Sequence, residues 1–322
     1  MQAGRIEAQS LGEYLQAWLH HSKGRVRLKT WEGYQSIINR HVIPALGDVP
    51  LEDLHPLLVQ KLYSKMAARV PPLSGGTILN THLVLSHALA QAVRWGYLSS
   101  NPAAGAEPPR PHRKELAVVD HSLAERLLVA SVGTRYELPV AIAIATGMRR
   151  GEILALRWED IDKDYSVARV RRTLLATNEG LVFEQPKTPR SRRAVVLPEF
   201  LKPYLAREKA SQQERRRMLG EAWEEHGLVC CRRNGEPVNP DTLTSGWAPF
   251  LKRRGIPHVR FHDLRHAHAT MMLLKGVHPK IVSERLGHAS IGITLDTYSH
   301  VLPSMQAEAA DAFDALFPIE AQ

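Results

Sequence analysis

The sequence predicts a mainly α-helical protein with a small antiparallel β-sheet, divided into two domains. Three observations carry this. Apolar residues recur at three- and four-residue steps through most of the chain, a window over residues 165–198 switches to short β-prone runs, and a proline-rich stretch separates two long segments. At 322 residues the chain is long enough for two cores. The expected division is a helical domain over residues 1–105, a linker over 106–115 and a second domain over 116–322.

Residues 1–8 carry no periodicity. Ser10 with Glu13 forms an S-x-x-E capping box, and Leu11, Tyr14, Leu15, Trp18 and Leu19 then mark one face of a first helix. Trp31, Tyr34, Ile37, Ile38 and Val42 mark a second, which Pro44 and Gly47 are expected to close. A third is read over residues 56–68 through Leu58, Leu62 and Met66, and a fourth over 77–95, stopped by Gly96. Lys23, Arg25, Arg27 and Lys29 crowd the loop between the first two; taken alone, such a run is most simply a solvated loop. Residues 101–114, NPAAGAEPPRPHRK, read as a semi-extended linker.

The second domain opens with another capping box, Ser122 and Glu125, on a helix through Leu123, Leu127 and Ala130. A small-residue helix, ELPVAIAIATG, follows and ends at Gly147. In MRRGEILALRWEDID, Ile153 and Leu156 face a core while Arg149 and Glu152, three apart, are able to meet. SVARVRR, LVFEQ and RRAVVLP predict a three-stranded antiparallel sheet, with Lys187 in the turn PKTPRSRR before the third strand. Residues 199–227 form a charged helical stretch, 242–254 a helix and 305–317 a final amphipathic helix. Cys230 and Cys231 are adjacent, which disfavours a disulfide between them, and are read as part of a buried strand. Residues 261–300 read as three short helices, the first with an apolar stripe of Leu264, Ala267, Met271 and Leu274. His262, Arg265, His288 and Tyr298, all suited to phosphate chemistry, stand at fixed places among them.

Lys plus Arg is 42 against 33 Asp plus Glu, a net charge of +9, which favours a polyanion partner. Aromatic residues make up 6%, too few for a single-strand stacking platform, so duplex is the expected form. With neither a membrane-length apolar run nor a signal-peptide pattern, a cytoplasmic, nucleoid-associated protein is expected.

The run His-Asp-Leu-Arg-His, then Leu-Gly-His, then a tyrosine ten residues later followed by x-His, resembles the end of a tyrosine recombinase of the phage-integrase family. TGMRRGE resembles that family's first-arginine motif, T-G-x-R-x-x-E. The resemblance runs from about Ser10 to Phe317. It implies a helical, SAM-like core-binding domain and a mixed α+β catalytic domain that clamp duplex DNA. It also turns the 23–29 loop, with Arg190 and Arg192, into candidates for phosphate contact. On the same footing Arg149 matches the catalytic arginine, Glu152 the acid that supports it, and Lys187 a mobile catalytic lysine.

Attack on a phosphodiester without a metal needs a nucleophile, positive charge for the transition state and an acid for the leaving oxygen. Tyr298 would attack, leaving a 3′-phosphotyrosine and a free 5′-hydroxyl, as in the family. Arg149 and Arg265 each offer a planar fork to the non-bridging oxygens, and His288 a further donor. His262 is expected to shuttle the tyrosine proton and Lys187 to protonate the leaving oxygen. The bond energy stays in the phosphotyrosine, so a 5′-hydroxyl from another duplex reverses the step through a Holliday junction, and no cofactor or metal is expected. Taken singly, each of these side chains also fits a packing or capping role; the six in order argue for catalysis.

Rival readings come from other classes. His262, His266 and His268 suggest zinc, but Asp263 and Glu284 do not complete a familiar ligand set. A DNA-binding protein that does not cut would make Tyr298 dispensable. A Xer-type chromosome-dimer resolvase shares the expected fold and residues. Many phage integrases carry an extra amino-terminal arm-binding domain, whereas this chain opens almost at the core-binding helices; either the element works with simple sites or the true start lies upstream. The resemblance further implies inverted half-sites, a homotetramer in the synapse and an accessory DNA-bending or excision factor. Ala309, Ala312, Phe313 and Leu316, after the nucleophile, are the residues expected to dock on a neighbouring protomer.

Overall fold

A computed structural model of the chain describes residues 10–110, 119–186, 191–298, 310–311 and 313–316. It divides into two compact units, Met1–Glu115 and Leu116–Gln322. The first unit is helical. Helix α1 (Leu11–Ser22) starts with the expected reciprocal box: the Glu13 N–H donates to Ser10 Oγ and the Ser10 N–H to the Glu13 carboxylate. Pro44 does not end the second helix. α2 (Leu28–Ile37) passes through a π turn at Ile38–Val42 into α3 (Ile43–Leu46). A proline cannot donate to the fourth carbonyl before it and crowds that carbonyl, and the wider turn just ahead of it relieves both. α4 (Pro56–Ala67) and α5 (Gly75–Arg94, capped by Ser74) complete the set. Their apolar faces enclose Leu15, Trp18, Ile38, Leu62, Tyr63, Leu85 and Leu89, and Tyr14 Oη donates to Ala88 O at 2.6 Å.

The first residues of the proline-rich stretch belong to this core. Asn101 caps a 3₁₀ turn, Pro102–Gly105, whose Ala103 is buried, and the Glu107 N–H donates to the Gln60 side chain. In the basic loop Lys23, Arg25, Arg27 and Lys29 are exposed; Lys23 sits over the Trp31 ring and Lys29 pairs with Glu32.

The second unit is built around α7 (Glu137–Thr146), which is buried on every side and packs against α6 (His121–Ser131), α8 (Arg150–Leu154), α9 (Lys202–Leu219) and α12 (Asp263–Leu274). A helix apolar all round must be covered all round, and that fixes it as the centre. α6 is capped by Asp120 rather than Ser122. The sheet differs from the three-stranded expectation. β1 (Val167–Val170) pairs antiparallel with β4 (Arg193–Val196), and β2 (Thr173–Thr177) forms a separate hairpin with β3 (Gly180–Glu184). Asn178 and Glu179 supply the turn between them, and Gly180, which opens β3, stands at φ 115°. The expected helix over 242–254 is two, α10 (Pro240–Ser245) and α11 (Trp247–Arg253), broken at Gly246, where a Cβ would strike Arg135 and Tyr136. Cys230 and Cys231 are free thiols; Cys231 forms an isolated antiparallel bridge with Pro237, and neither lies in a strand. The chain then runs through α12, α13 (Pro279–Leu286) and α14 (Ile291–Tyr298). On α12 it is Leu273 that is buried, and Leu274 is exposed. Of the expected final helix, Ala309 and Ala312 lie outside the described residues, while Phe313 and Leu316 are exposed. No helix among the described residues is long and apolar enough to cross a membrane.

Candidate active site

The site is assembled on two helix stops. α7 ends at Gly147 and α13 at Gly287, both left-handed, with φ 65° and 68°. Neither has room for a side chain: a Cβ on Gly147 would stand 2.7 Å from His268 Cδ2, and one on Gly287 2.9 Å from Arg193 Nη1. Arg265, on α12, joins the two ends, donating from Nη1 to Gly147 O at 2.6 Å and from Nη2 to Leu286 O at 2.8 Å. Burial, then the charge of Arg149, pulls its guanidinium down to about 9. Arg193 lowers it further, while Glu152 and Tyr298 pull the other way.

Arg149 precedes α8, and its backbone N–H and Nη1 both donate to Glu152, at 2.9 and 3.0 Å. Its Nη2 reaches Gly287 O at 3.4 Å. Glu152 is buried and also receives Arg193 at 2.8 and 3.2 Å. Burial works to raise its carboxyl, but the hydrogen bonds and charges of Arg193 and Arg149 outweigh it and hold the group below the ordinary range. Arg193 is absent from the sequence candidates, which stopped at Arg190 and Arg192. The signal was there, because side chains alternate along a strand and Arg193 shares a face of β4 with the buried Val195. Arg193 Nε also donates to Arg285 O at 2.6 Å, tying β4 to α13.

His288 follows the Gly287 stop, and its N–H closes the turn on Ser283 O at 3.0 Å. Its Nδ1 lies 2.8 Å from the hydroxyl of buried Thr294. Burial, then Arg265 and Arg149, lowers the ring to about 4, so it is neutral near pH 7. Tyr298 ends α14 and is 1% exposed, in an apolar nest with Ala269, Leu273, Val282 and Leu286. Burial pushes its phenol up to about 12, against the opposing pull of Arg265.

The partner of the phenol is His266: Nδ1 stands 2.8 Å from Tyr298 Oη. The sequence reading gave that position to His262, which is exposed at the start of α12 with its ring edge-on to His266, centroids 5.1 Å apart. A contact spanning 32 residues left no periodic signal to read. His268 points away, with Nδ1 2.8 Å from Ile144 O and Nε2 3.1 Å from Arg285 Nε, so the three histidines do not converge. Among the described residues no group of three or more His, Cys, Asp or Glu side chains is arranged to hold a metal ion. Lys187 and Arg190 lie outside the described residues.

Beside the site runs a groove of about 670 Å³ lined by Arg157, Arg169, Arg171, Arg172, Arg192 and Arg193. Buried Asp160 anchors part of it, facing Arg172 at 2.9 Å and Arg171 at 3.6 Å. A larger cavity of about 920 Å³, around Arg135, Tyr204, Arg207 and Cys230, shares none of the candidate site residues.

Residues 118–305 match the Phage integrase family, and residues 10–67 match the phage integrase N-terminal SAM-like domain. The chain belongs to the phage integrase family of tyrosine recombinases, enzymes that cleave DNA and exchange strands, and among them to the site-specific integrases. It is 29% identical to a XerC-like tyrosine recombinase of Caldanaerobacter subterraneus over 96% of this chain and 83% of that one. It is 34% identical to the ICEBs1 integrase of Bacillus subtilis over 54% of this chain and 47% of the relative. Its fold is that of the Tn1549 transposon integrase, solved with a circular intermediate DNA (TM-score 0.78, 19% identity, 95% of this chain and 100% of that one). A lambda integrase dimer bound to a core site is also similar (TM-score 0.63, 18% identity, 89% and 94%).

Proposed function

We propose that Tyr298 attacks a phosphodiester of duplex DNA held by Arg149, Arg265 and His288, giving a 3′-phosphotyrosine that a 5′-hydroxyl of a second duplex resolves. The observation that supports this is the gathering of these four side chains from three separate stretches of sequence around the ends of α7 and α13. There two buried guanidiniums, Arg265 and Arg193, with Arg149 face one carboxylate, Glu152. A site with that excess of positive charge favours an anion, and most of all the extra charge of a phosphorane-like transition state. In this reading His288 carries its proton on Nε2, so that Nδ1, 2.8 Å from the Thr294 hydroxyl, accepts from it and Nε2–H donates to the same oxygens. Lys187 is assigned the leaving 5′-oxygen on the family pattern alone. The exposed cations of the 23–29 loop and the arginine groove bind DNA phosphates. Two protomers occupy inverted half-sites and two such pairs form the synaptic tetramer, as the family pattern and the lambda integrase tetramer solved on a Holliday junction suggest.

The test is a nicked suicide duplex carrying the element's junction, incubated with wild type and with Tyr298→Phe and run on a denaturing gel. A covalent adduct in wild type alone is expected. An adduct of equal yield with Tyr298→Phe would move the nucleophile elsewhere, and tight binding without any adduct would leave a non-cutting binder.

A further inference from the structure

We infer that His266, one position past the arginine of the HDLRH run, is the catalytic residue that receives the proton of Tyr298 as the phenol attacks. The inference rests on Tyr298 being the nucleophile. Four observations carry it. His266 Nδ1 is 2.8 Å from the phenol oxygen, the hydrogen bond that the structure gives that hydroxyl. The rings meet at 5.7 Å between centroids and 57°, so the imidazole lies beside the phenol and not over its face. The apolar residues packed with Tyr298, among them Ala269, Leu273, Val282 and Leu286, are unable to take a proton. Arg265, the nearby cation, favours the phenolate but has no acceptor of its own.

In the step, the Tyr298 Oη–P bond forms and the P–O5′ bond breaks. The phenolic proton passes to His266 Nδ1, giving an imidazolium, and the leaving 5′-oxygen takes a proton from a separate acid. Transfer requires the proton of neutral His266 to sit on Nε2, so that Nδ1 accepts from the phenol. The charges around His266 are compatible with a neutral ring. Asp263 and Arg265 act on it from its own helix, Arg260 from the turn before it, His262 from across the ring edge and His288 from the turn after α13. Burial, the largest influence, keeps the ring below its ordinary value and therefore free to accept near neutrality. His262 is exposed at the start of α12, and the ring it meets is that of His266.

The test measures single-turnover adduct formation on a suicide duplex from pH 5 to 9. His266→Asn sets an amide near the former Nδ1, able to hold the hydroxyl but not to take its proton, and His266→Ala opens room for imidazole added to the buffer. Wild type is expected to slow on the acid side, as pH falls through a midpoint lying below the ordinary histidine value, where His266 becomes protonated. His266→Asn should bind the duplex as wild type does, react about 100-fold or more slowly and lose that acid limb. His266→Ala should regain rate in proportion to added imidazole. A His266→Asn rate equal to or above wild type overturns the inference, as does a slow variant that keeps the wild-type acid limb and gains nothing from imidazole. Wild type and Tyr298→Phe run in parallel: equal adduct in both would sink the nucleophile assignment itself, whereas the His266 variants judge only the proton acceptor.

Discussion

Glu152 is the residue on which the cation cluster depends. Its two oxygens receive Arg149 and Arg193, and both Glu152 and Arg193 are almost wholly withdrawn from water. Replacing it with glutamine keeps the shape but removes the one negative charge between two guanidiniums, and an unbalanced buried charge costs about 3–5 kcal/mol. Glu152→Gln should therefore lower the unfolding free energy of the protein by about that amount, read from a urea titration, with adduct yield falling in the same preparation. Unchanged stability would mean that solvent or another group compensates Arg193. The sequence disclosed half of this arrangement. Arg149 and Glu152 are three residues apart on one helical turn, so their pairing is local and legible, while Arg193 arrives from a strand 41 residues on. Only its parity with Val195 hinted that it turns inward, and nothing local joined His266 to Tyr298.

At the level of elements, helices with strong 3.6-residue periodicity and glycine stops were read well, because each is fixed by neighbours within one or two turns. The sheet was not. Strand-like composition is the same for a three-stranded sheet and for two separate pairs, and pairing is decided by contacts that composition does not encode. The arginine groove lies beside the break after β1. Asp160 holds Arg171 and Arg172 at that break, and Arg169 stands on the exposed face of β1 opposite Ala194. Arg192, just before β4, is exposed beside it. If this face follows a DNA backbone, Arg169→Ala combined with Arg192→Ala should reduce the slope of log binding constant against log salt by about 1.8, roughly 0.9 for each phosphate left without its arginine. Fluorescence anisotropy on a half-site duplex across a salt series reads it. A slope equal to that of wild type would remove the groove from the DNA-facing surface.

For the whole molecule, each of the two units closes a core of its own, so neither needs a neighbouring protomer to bury its central residues. Exposed apolar side chains are scattered over both units, and two of them lie past the proposed nucleophile. Phe313 and Leu316 are 64% and 69% exposed, side chains that gain roughly 1.5–3 kcal/mol each when taken out of water. A surface of that kind on a short terminal segment is suited to a partner, and a second copy of the chain is the partner a synaptic assembly supplies. Deleting residues 303–322 should then leave binding to a single half-site at wild-type affinity, because the candidate DNA-contacting residues all precede the cut. Strand exchange between two full sites should be lost, since it requires protomers to engage one another. Both are measured on the same protein, by half-site anisotropy and by the appearance of recombinant product on a gel. Recombination at the wild-type rate by the shortened chain would show that the exposed aromatic and aliphatic pair does not hold the assembly together, and would shift the search for the protomer contact to the catalytic unit's helices.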